Sequence, residues 1–300
     1  MKRLVLVLCL LSFGTVPTQA KARKVVARPP ILGIAHVRLH VADLNGSAEF
    51  YKGILRMTPV SSGCEAKNLR CFWVGGKQSV QLDSDPIQSG NLVEEIAFLT
   101  ADLKGMHKFL SSRGLEPDRI VTGRDGMYFG LKGPEGHRIV FVQGAKGMYV
   151  LAADPRISRS IIHAGMVVRD RTAEDHFFKD ILGFRPYWHG GMKEDKDDWV
   201  ALQVPDGTDW VEYMLNVSQT PDKHTLGVMN HIALGVTDIQ AANAALLSDG
   251  WKPSEEPKLG RDGKWQLNVY DPDDTRIEFM EFTPKEKPCC SEFTGPHPKP

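Results

Sequence analysis

The chain has 300 residues, 42% of them apolar, which is enough to bury a sizeable core and sets an expectation of about two domains. Its 37 basic residues balance its 37 acidic ones. That balance offers no positive field for a nucleic-acid backbone and no acidic surplus to mark a solvating tail.

At the start of the chain, Lys2 and Arg3 precede an apolar run over residues 4–13 and a stretch of small and turn-forming residues ending Thr18-Gln19-Ala20. This is the pattern of a signal peptide over residues 1–20, and the run is too short for a permanent membrane-spanning helix. A retained anchor or a lipoprotein lipidated on Cys9 is the rival reading, but Cys9 follows only a handful of apolar residues. The expectation is an exported protein, periplasmic or secreted, with no stable membrane span after cleavage. Its four remaining cysteines then meet oxidising surroundings. Cys64 and Cys71 could staple one loop. Cys289 and Cys290 are adjacent in a Pro-rich stretch, where a vicinal disulfide, a bond between chains or free thiols all fit, and where only His297 could help a thiolate hold a metal.

Along the chain, a predicted strand at 34–41 leads into a helix ending at Leu55, and the same pattern returns at 161–168 with a helix ending at Leu182. The offset is 127 residues both from His36 to His163 and from Phe50 to Phe177. A second pair, 95–98 and 231–234, is offset by 136 residues, as are Gly114 and Gly250, which close the helices that follow. The last strands, 138–141 and 276–279, are preceded by Gly133-Pro134-Glu135 and Asp271-Pro272-Asp273 at an offset of 138. A slowly rising offset is what loop insertions in the second copy produce, because loops absorb length while strands keep register. Further short strands are predicted at 199–204 and 210–214. One such unit cannot bury its sheet alone, so units must pair. The predicted fold is α+β, with four tandem βαβββ units forming two modules of curved mixed sheet around a cavity. The first module spans 31–143, a linker 144–159, the second module 160–283, and an irregular Pro-rich tail 284–300.

The second module carries the chemistry. It places His163 on a first strand, Glu212 on the last strand of that unit, His231 on the next first strand and Glu278 on the final strand, with gaps of 49, 19 and 47 residues. Two imidazoles and two carboxylates suit a divalent Zn, Ni, Fe, Co or Mn ion and leave two octahedral positions for water or substrate oxygens. By strand parity His163 shares a face with Gly165, and His231 with Ala233 and Gly235, so small neighbours are expected to leave room for a ligand. Glu281 has the opposite parity to Glu278 and should point away. The plain alternative makes the histidines hydrogen-bonded core residues and pairs the carboxylates with Arg276 or leaves them exposed. Four donors at matching strand positions favour an ion, since buried charges are paired or bind metal. The first module has His36, Gln81, Glu95 and Val140 at the equivalent positions. Val140 cannot ligate, and Arg38 and His40 crowd the face of His36. This copy reads as degenerate or structural, although His36, Gln81 and Glu95 could hold a weak ion.

On these repeats and positions the chain resembles the vicinal oxygen chelate superfamily, which holds glyoxalase I, extradiol ring-cleaving dioxygenases and antibiotic-resistance binding proteins. The resemblance covers 31–143 and 160–283. It implies that metal donors project from the first and last strands of each unit into a cavity, and the order His, Glu, His, Glu is similar to the donor set of glyoxalase I. The implied activity is that of a metal-dependent lyase or isomerase acting on a small substrate with vicinal oxygens, through an enolate-type intermediate. Glu278 would be the catalytic base and Glu212 its partner. Export argues against lactoylglutathione as the substrate, since that thiol adduct belongs to the cytosol.

The first alternative is an Fe(II) extradiol dioxygenase using His163, His231 and Glu278 as a facial triad. Glu212 would then be superfluous, and the acid/base pair would fall to His224 and Tyr270, although residues 259–268 hold no His and Tyr270 lies close to Pro272. A non-catalytic small-molecule binding protein is the second, and the four donors argue against it. The expected partners are a small-molecule substrate and a second copy in a homodimer, with no nucleic acid. Gly190, Gly191 and the charged run 193–198 are expected to form a solvated, mobile loop near the cavity mouth.

Overall fold

The computed structural model describes residues 26–61, 64, 66–76, 78–86, 91–123, 126–144 and 156–300. The expected signal peptide over 1–20 lies outside the described residues, as does most of the linker at 144–159. Among the described residues no helix is long and apolar enough to cross a membrane.

Two eight-stranded mixed sheets follow one another along the chain. The first contains β1 (Ile31–His40), β2 (Thr58–Val60), β3 (Leu69–Gly75), β4 (Gln78–Asp83), β5 (Val93–Thr100), β6 (Val121–Gly123), β7 (Gly126–Lys132) and β8 (Arg138–Gly144), with helices α1 (Leu44–Glu49) and α2 (Leu103–Ser112). The second contains β9 (Ile161–Val167), β10 (Arg185–Gly190), β11 (Trp199–Gln203), β12 (Trp210–Met214), β13 (His231–Val236), β14 (Lys258–Leu259), β15 (Trp265–Tyr270) and β16 (Arg276–Glu281), with α3 (Arg171–Asp175), α4 (Lys223–Met229) and α5 (Ile239–Ser248). Their strand orders, β2-β3-β4-β1-β5-β8-β7-β6 and β10-β11-β12-β9-β13-β16-β15-β14, are the same order written twice. In each sheet the first strands of two βαβββ units pair antiparallel at the centre, and each pairs parallel with the last strand of its own unit.

Local chemistry places these elements. Asp43, Asp102, Asp170, Asp222 and Asp238 each cap a helix start by accepting backbone N–H bonds from the first turn. After α1 and α3 the chain widens into π turns at equivalent positions, Phe50–Ile54 and His176–Ile181. Gly114 and Gly250 end α2 and α5 with φ of 82° and 87°, a left-handed step that only glycine takes without cost. One continuous apolar cluster fills the space between helices and sheets of both modules, and Phe98 meets Phe184 across them at 5.3 Å between ring centroids.

The seam between the modules is also polar. The Gln78 side chain donates to Ile34 O and Ile161 O and accepts from Ile161 N, while Asp209 accepts from Ile34 N at 2.8 Å. Gly33 makes this approach feasible, because a Cβ there would sit 2.6 Å from the Asp209 carboxylate. Burial pushes the Asp209 carboxyl up to about 7. Tyr51 on the first module donates to Asp271 on the second.

Cys64 pairs with Cys71, and Cys289 with Cys290. The charged loop and the Pro-rich tail are both exposed in large part, and both are fastened by hydrogen bonds. The loop at 191–198 is tied down: Met192 N donates to the Asp198 carboxylate, Asn216 Nδ2 to Asp197 O, and Arg261 Nε to Gly191 O. The tail at 284–300 has no regular element, as expected, yet it packs against β10 and the turn between β14 and β15 through the bonds described below.

Candidate metal centre

Register alone brings the four donors of the second module together. Gly165 on β9 pairs with Glu212 on β12 and with His231 on β13, and Ala233 pairs with His163 and with Glu278 on β16. All four side chains therefore leave the same face of four adjacent strands. His163 Nε2 lies 3.0 Å from His231 Nε2, 3.4 Å from Glu278 Oε2 and 3.8 Å from Glu212 Oε2. His231 Nε2 lies 3.3 Å from Glu212 Oε2 and 3.7 Å from Glu278 Oε2. Donors held about 2.1 Å from one ion stand about 3 Å apart at right angles and somewhat more at tetrahedral angles, so the spacings among His163, His231 and Glu278 fit a single first-row cation, with Glu212 beside the two imidazoles. His163, His231 and Glu278 form a buried trio whose ligand atoms all fall within 4.8 Å of one another.

The protonation states suit ligation as well. Burial holds His231 well below the usual imidazole range, reinforced by the charge of Arg276, so it stays neutral. Burial works against the Glu278 carboxylate, but the His163 hydrogen bond and the charge of Arg276 outweigh it and keep the group ionised. His163 Nδ1 is buried and has no partner.

The aromatic and charged lining escaped the sequence reading. Trp210, opposite His163 in register, stacks on its ring at 4.6 Å, and Tyr187 packs on Trp210 at 5.1 Å. The Arg276 guanidinium lies 2.9 and 3.0 Å from the two nitrogens of His231 and enters the cavity. Asp262 also lines it, its carboxyl pushed up to about 6 by burial against the pull of Lys264. Trp210 and Arg276 could have been found by parity with His163 and Glu278. Asp262 and Lys264 sit on a turn, where no periodicity exists to read.

The space beside the small residues is used differently than expected. A Cβ on Gly165 would collide with the His231 ring, and one on Gly235 with the Phe282 ring, so these glycines admit protein side chains rather than a ligand. The open volume, about 100 Å³, instead lies between Glu212, Glu278, Arg276 and an aromatic wall of Tyr187, Trp199 and Trp210. Glu281 points away as expected, accepting from Ile239 N at the start of α5. Tyr270 pairs with Arg276 in register and so shares the face of Glu278, but its OH donates to Glu255 at 2.7 Å, and the His224 ring packs on Tyr270.

In the first module His36, Gln81 and Glu95 are engaged by one another and by guanidinium groups, in keeping with a structural copy. Arg38, which stands where the second module has Gly165, donates to Gln81 and approaches Glu95 at 3.4 Å. Glu95 further binds His36 at 2.6 Å and Arg138 at 3.2 Å, so guanidinium groups take the place a cation would need.

A family model described as the Glyoxalase/Bleomycin resistance protein/Dioxygenase superfamily matches residues 160–279, a stretch that contains all four convergent donors. Lactoylglutathione lyase of Haemophilus influenzae is 32% identical over 123 residues, 40% of this chain and 91% of that enzyme. Among solved structures, the 2,3-dioxygenase LapB from Pseudomonas sp. KL28 superposes with a TM-score of 0.65 at 16% identity, covering 91% of this chain and 96% of its own. Homoprotocatechuate 2,3-dioxygenase from Brevibacterium fuscum, in its complex with 3,4-dihydroxyphenylacetate, gives 0.62 at 19% identity over 91% of this chain and 84% of its own. At these identities the structural likeness is one of fold.

Proposed function

The chain belongs to the glyoxalase/bleomycin resistance protein/dioxygenase superfamily, and from that premise we propose that it is a divalent-metal-dependent lyase or isomerase of the glyoxalase kind. Its substrate is a small molecule with two neighbouring oxygens. The observation that carries this reading is the buried trio of His163, His231 and Glu278, whose ligand atoms lie 3.0–3.7 Å apart, with Glu212 3.3 and 3.8 Å from the two imidazoles and both carboxylates facing the cavity. When bound there, a divalent ion supplies a Lewis acid that polarises the substrate oxygens.

The protein's own groups do the rest. A Glu278 carboxylate oxygen takes a proton from the hydroxyl-bearing carbon next to the substrate carbonyl and returns it to the former carbonyl carbon, while the hydroxyl proton passes to the former carbonyl oxygen, so the carbonyl moves by one carbon. Glu212, the more exposed carboxylate with 13% of its side chain accessible against 4% for Glu278, faces the substrate from the other copy of the strand pair and steadies the transferred proton. The Arg276 guanidinium favours the negative charge that develops on oxygen, and the aromatic wall excludes water. A cavity of about 100 Å³ is far below the several hundred that drug-sized ligands occupy, which supports a substrate smaller than a glutathione adduct. We place the enzyme outside the cytosol on the N-terminal sequence pattern.

An extradiol dioxygenase is the second reading, favoured by the buried His163, His231 and Glu278 trio. It is weakened by Tyr270, whose hydroxyl is engaged by Glu255. Metal-loaded protein incubated with small 2-hydroxycarbonyl compounds in D₂O separates the two. Exchange of one carbon-bound proton, lost in Glu278→Gln, is the expected result. Oxygen uptake on catechols without such exchange would overturn it in favour of the dioxygenase.

A further inference from the structure

The two ends of the second sheet, β10 and β14, are free edges by topology. The segment after β16 bridges them beside the cavity. Lys285 N and Glu286 N donate to Gly263 O, and Cys289 N donates to Arg261 O, which fixes the segment on the turn between β14 and β15. Trp188 Nε1 then donates to Cys289 O, Ser291 Oγ exchanges bonds with both His189 N and His189 O, and Thr294 N donates to Tyr187 O. Those partners lie on β10, so the segment crosses from one edge of the sheet to the other. Gln203 Nε2 donates to Pro296 O beyond the crossing.

Phe293 is the side chain this crossing delivers to the cavity, where it packs on Tyr187 at 4.9 Å. Beneath it lies Lys264, fully buried and with no hydrogen-bond partner for its ammonium. An orphaned buried ammonium is costly, so its surroundings have to compensate. They do so with the carboxylate of Asp262 nearby and with ring faces: Lys264 Nζ is 4.6 Å from the centroid of Trp210, 5.1 Å from Phe293 and 5.6 Å from Tyr187. Two of these rings belong to the sheet and one to the segment, so the ammonium joins them.

We propose that the segment over 285–297 is a wall of the metal cavity, and that Phe293, fastened over the Lys264 ammonium, sets the size of substrate that the centre admits. The inference rests on the metal-centre reading for its consequence but not for its structure. Phe293 is here a specificity-determining residue, and Lys264 a positioning residue that acts through it.

The test uses the full chain loaded with cobalt(II), whose visible spectrum reports both the metal and any chelator that joins it. Acetohydroxamate, benzohydroxamate and naphthohydroxamate serve as vicinal-oxygen probes of rising size. Wild type should prefer acetohydroxamate over benzohydroxamate. Phe293→Ala should raise benzohydroxamate affinity by about tenfold or more with cobalt content unchanged, and Phe293→Trp should shift the preference the other way. Lys264→Met, which keeps the length and loses the charge, should reproduce the Phe293→Ala profile. It should also speed hydrogen exchange at the Cys289 and Thr294 amides. The same size ranking in wild type and all three variants, with a normal cobalt spectrum, would overturn the inference. If cobalt does not bind, the metal reading fails while the wall is still judged: fast exchange at Cys289 and Thr294 in wild type, or exchange unmoved by Lys264→Met, overturns it. Should Phe293→Ala not fold, Phe293→Leu with the exchange measurement takes its place.

Discussion

The two modules share a strand order and differ in what occupies the same places. In the second, Gly165 makes room for the His231 ring, and Glu278 joins His163 and His231 in a buried trio with Glu212 beside it. In the first, Arg38 stands at the position of Gly165, Glu95 at that of His231 and Val140 at that of Glu278, and the result is an ion-paired cluster of His36, Arg38, Glu95 and Arg138. The aromatic layer differs too. The cavity side of the second sheet carries Tyr187, Trp188 and Trp210 with smaller apolar residues, whereas the matching layer of the first is Ala35, Ala97 and Val140. The same strand order thus carries two different clusters. A buried carboxylate needs a counter-charge, and guanidinium groups in one copy play the part proposed for a cation in the other.

Making the second copy resemble the first should break its chemistry. Glu278→Val, which copies Val140, should lower the proton-exchange rate by about 10²–10⁴-fold and strip the metal, as read by elemental analysis of the dialysed variant. Its circular dichroism should stay that of the wild type.

The next effect concerns the seam where the copies meet. Asp209 has a folded-state value of about 7 against an ordinary 3.8, with burial as the cause. Its bound proton therefore favours the folded state, a contribution fully present below the unfolded value and lost as pH rises through about 7. Asp209→Asn keeps an acceptor for Ile34 N and removes that dependence. Its stability advantage over wild type should be greater at pH 8 than at pH 5 by about 2–3 kcal/mol, measured as the melting temperature at both pH values.

Smaller changes sharpen the comparison. Gly165→Ala should push the His231 ring off its position and weaken metal binding by about 10–100-fold, measured by competition with a chromogenic chelator. Arg276→Lys keeps the charge but loses the planar fork beside His231, and should slow proton exchange by less than about tenfold while leaving metal content intact. If Gly165→Ala binds metal as tightly as wild type, the contrast with Arg38 loses its physical basis.

Much of this architecture could be read from the sequence because strands and helices keep register across a duplication. The constant spacing from His36 to His163 and from Phe50 to Phe177 located the units, and the four donors followed from matching strand positions. Contacts made across long stretches of chain were not legible. Nothing local marks Lys264 as buried under three rings, or Phe293 as part of a cavity, since both facts arise when a segment without periodicity crosses the sheet. Gly165 was legible as small but misleading in purpose, because parity gives the face of a side chain and not what fills the space beside it. Charge alone marks Arg276 as a partner for carboxylates, and its guanidinium also lies against His231.

The most direct test is X-ray absorption on the purified protein, at the edge of whichever first-row metal elemental analysis detects. One ion per chain, with nitrogen and oxygen scatterers at about 2.0–2.2 Å and an outer-shell pattern from two imidazoles that is lost in His163→Ala, is the predicted result. Substoichiometric metal, sulfur scatterers, or an imidazole pattern that survives the loss of both His163 and His231 would contradict it.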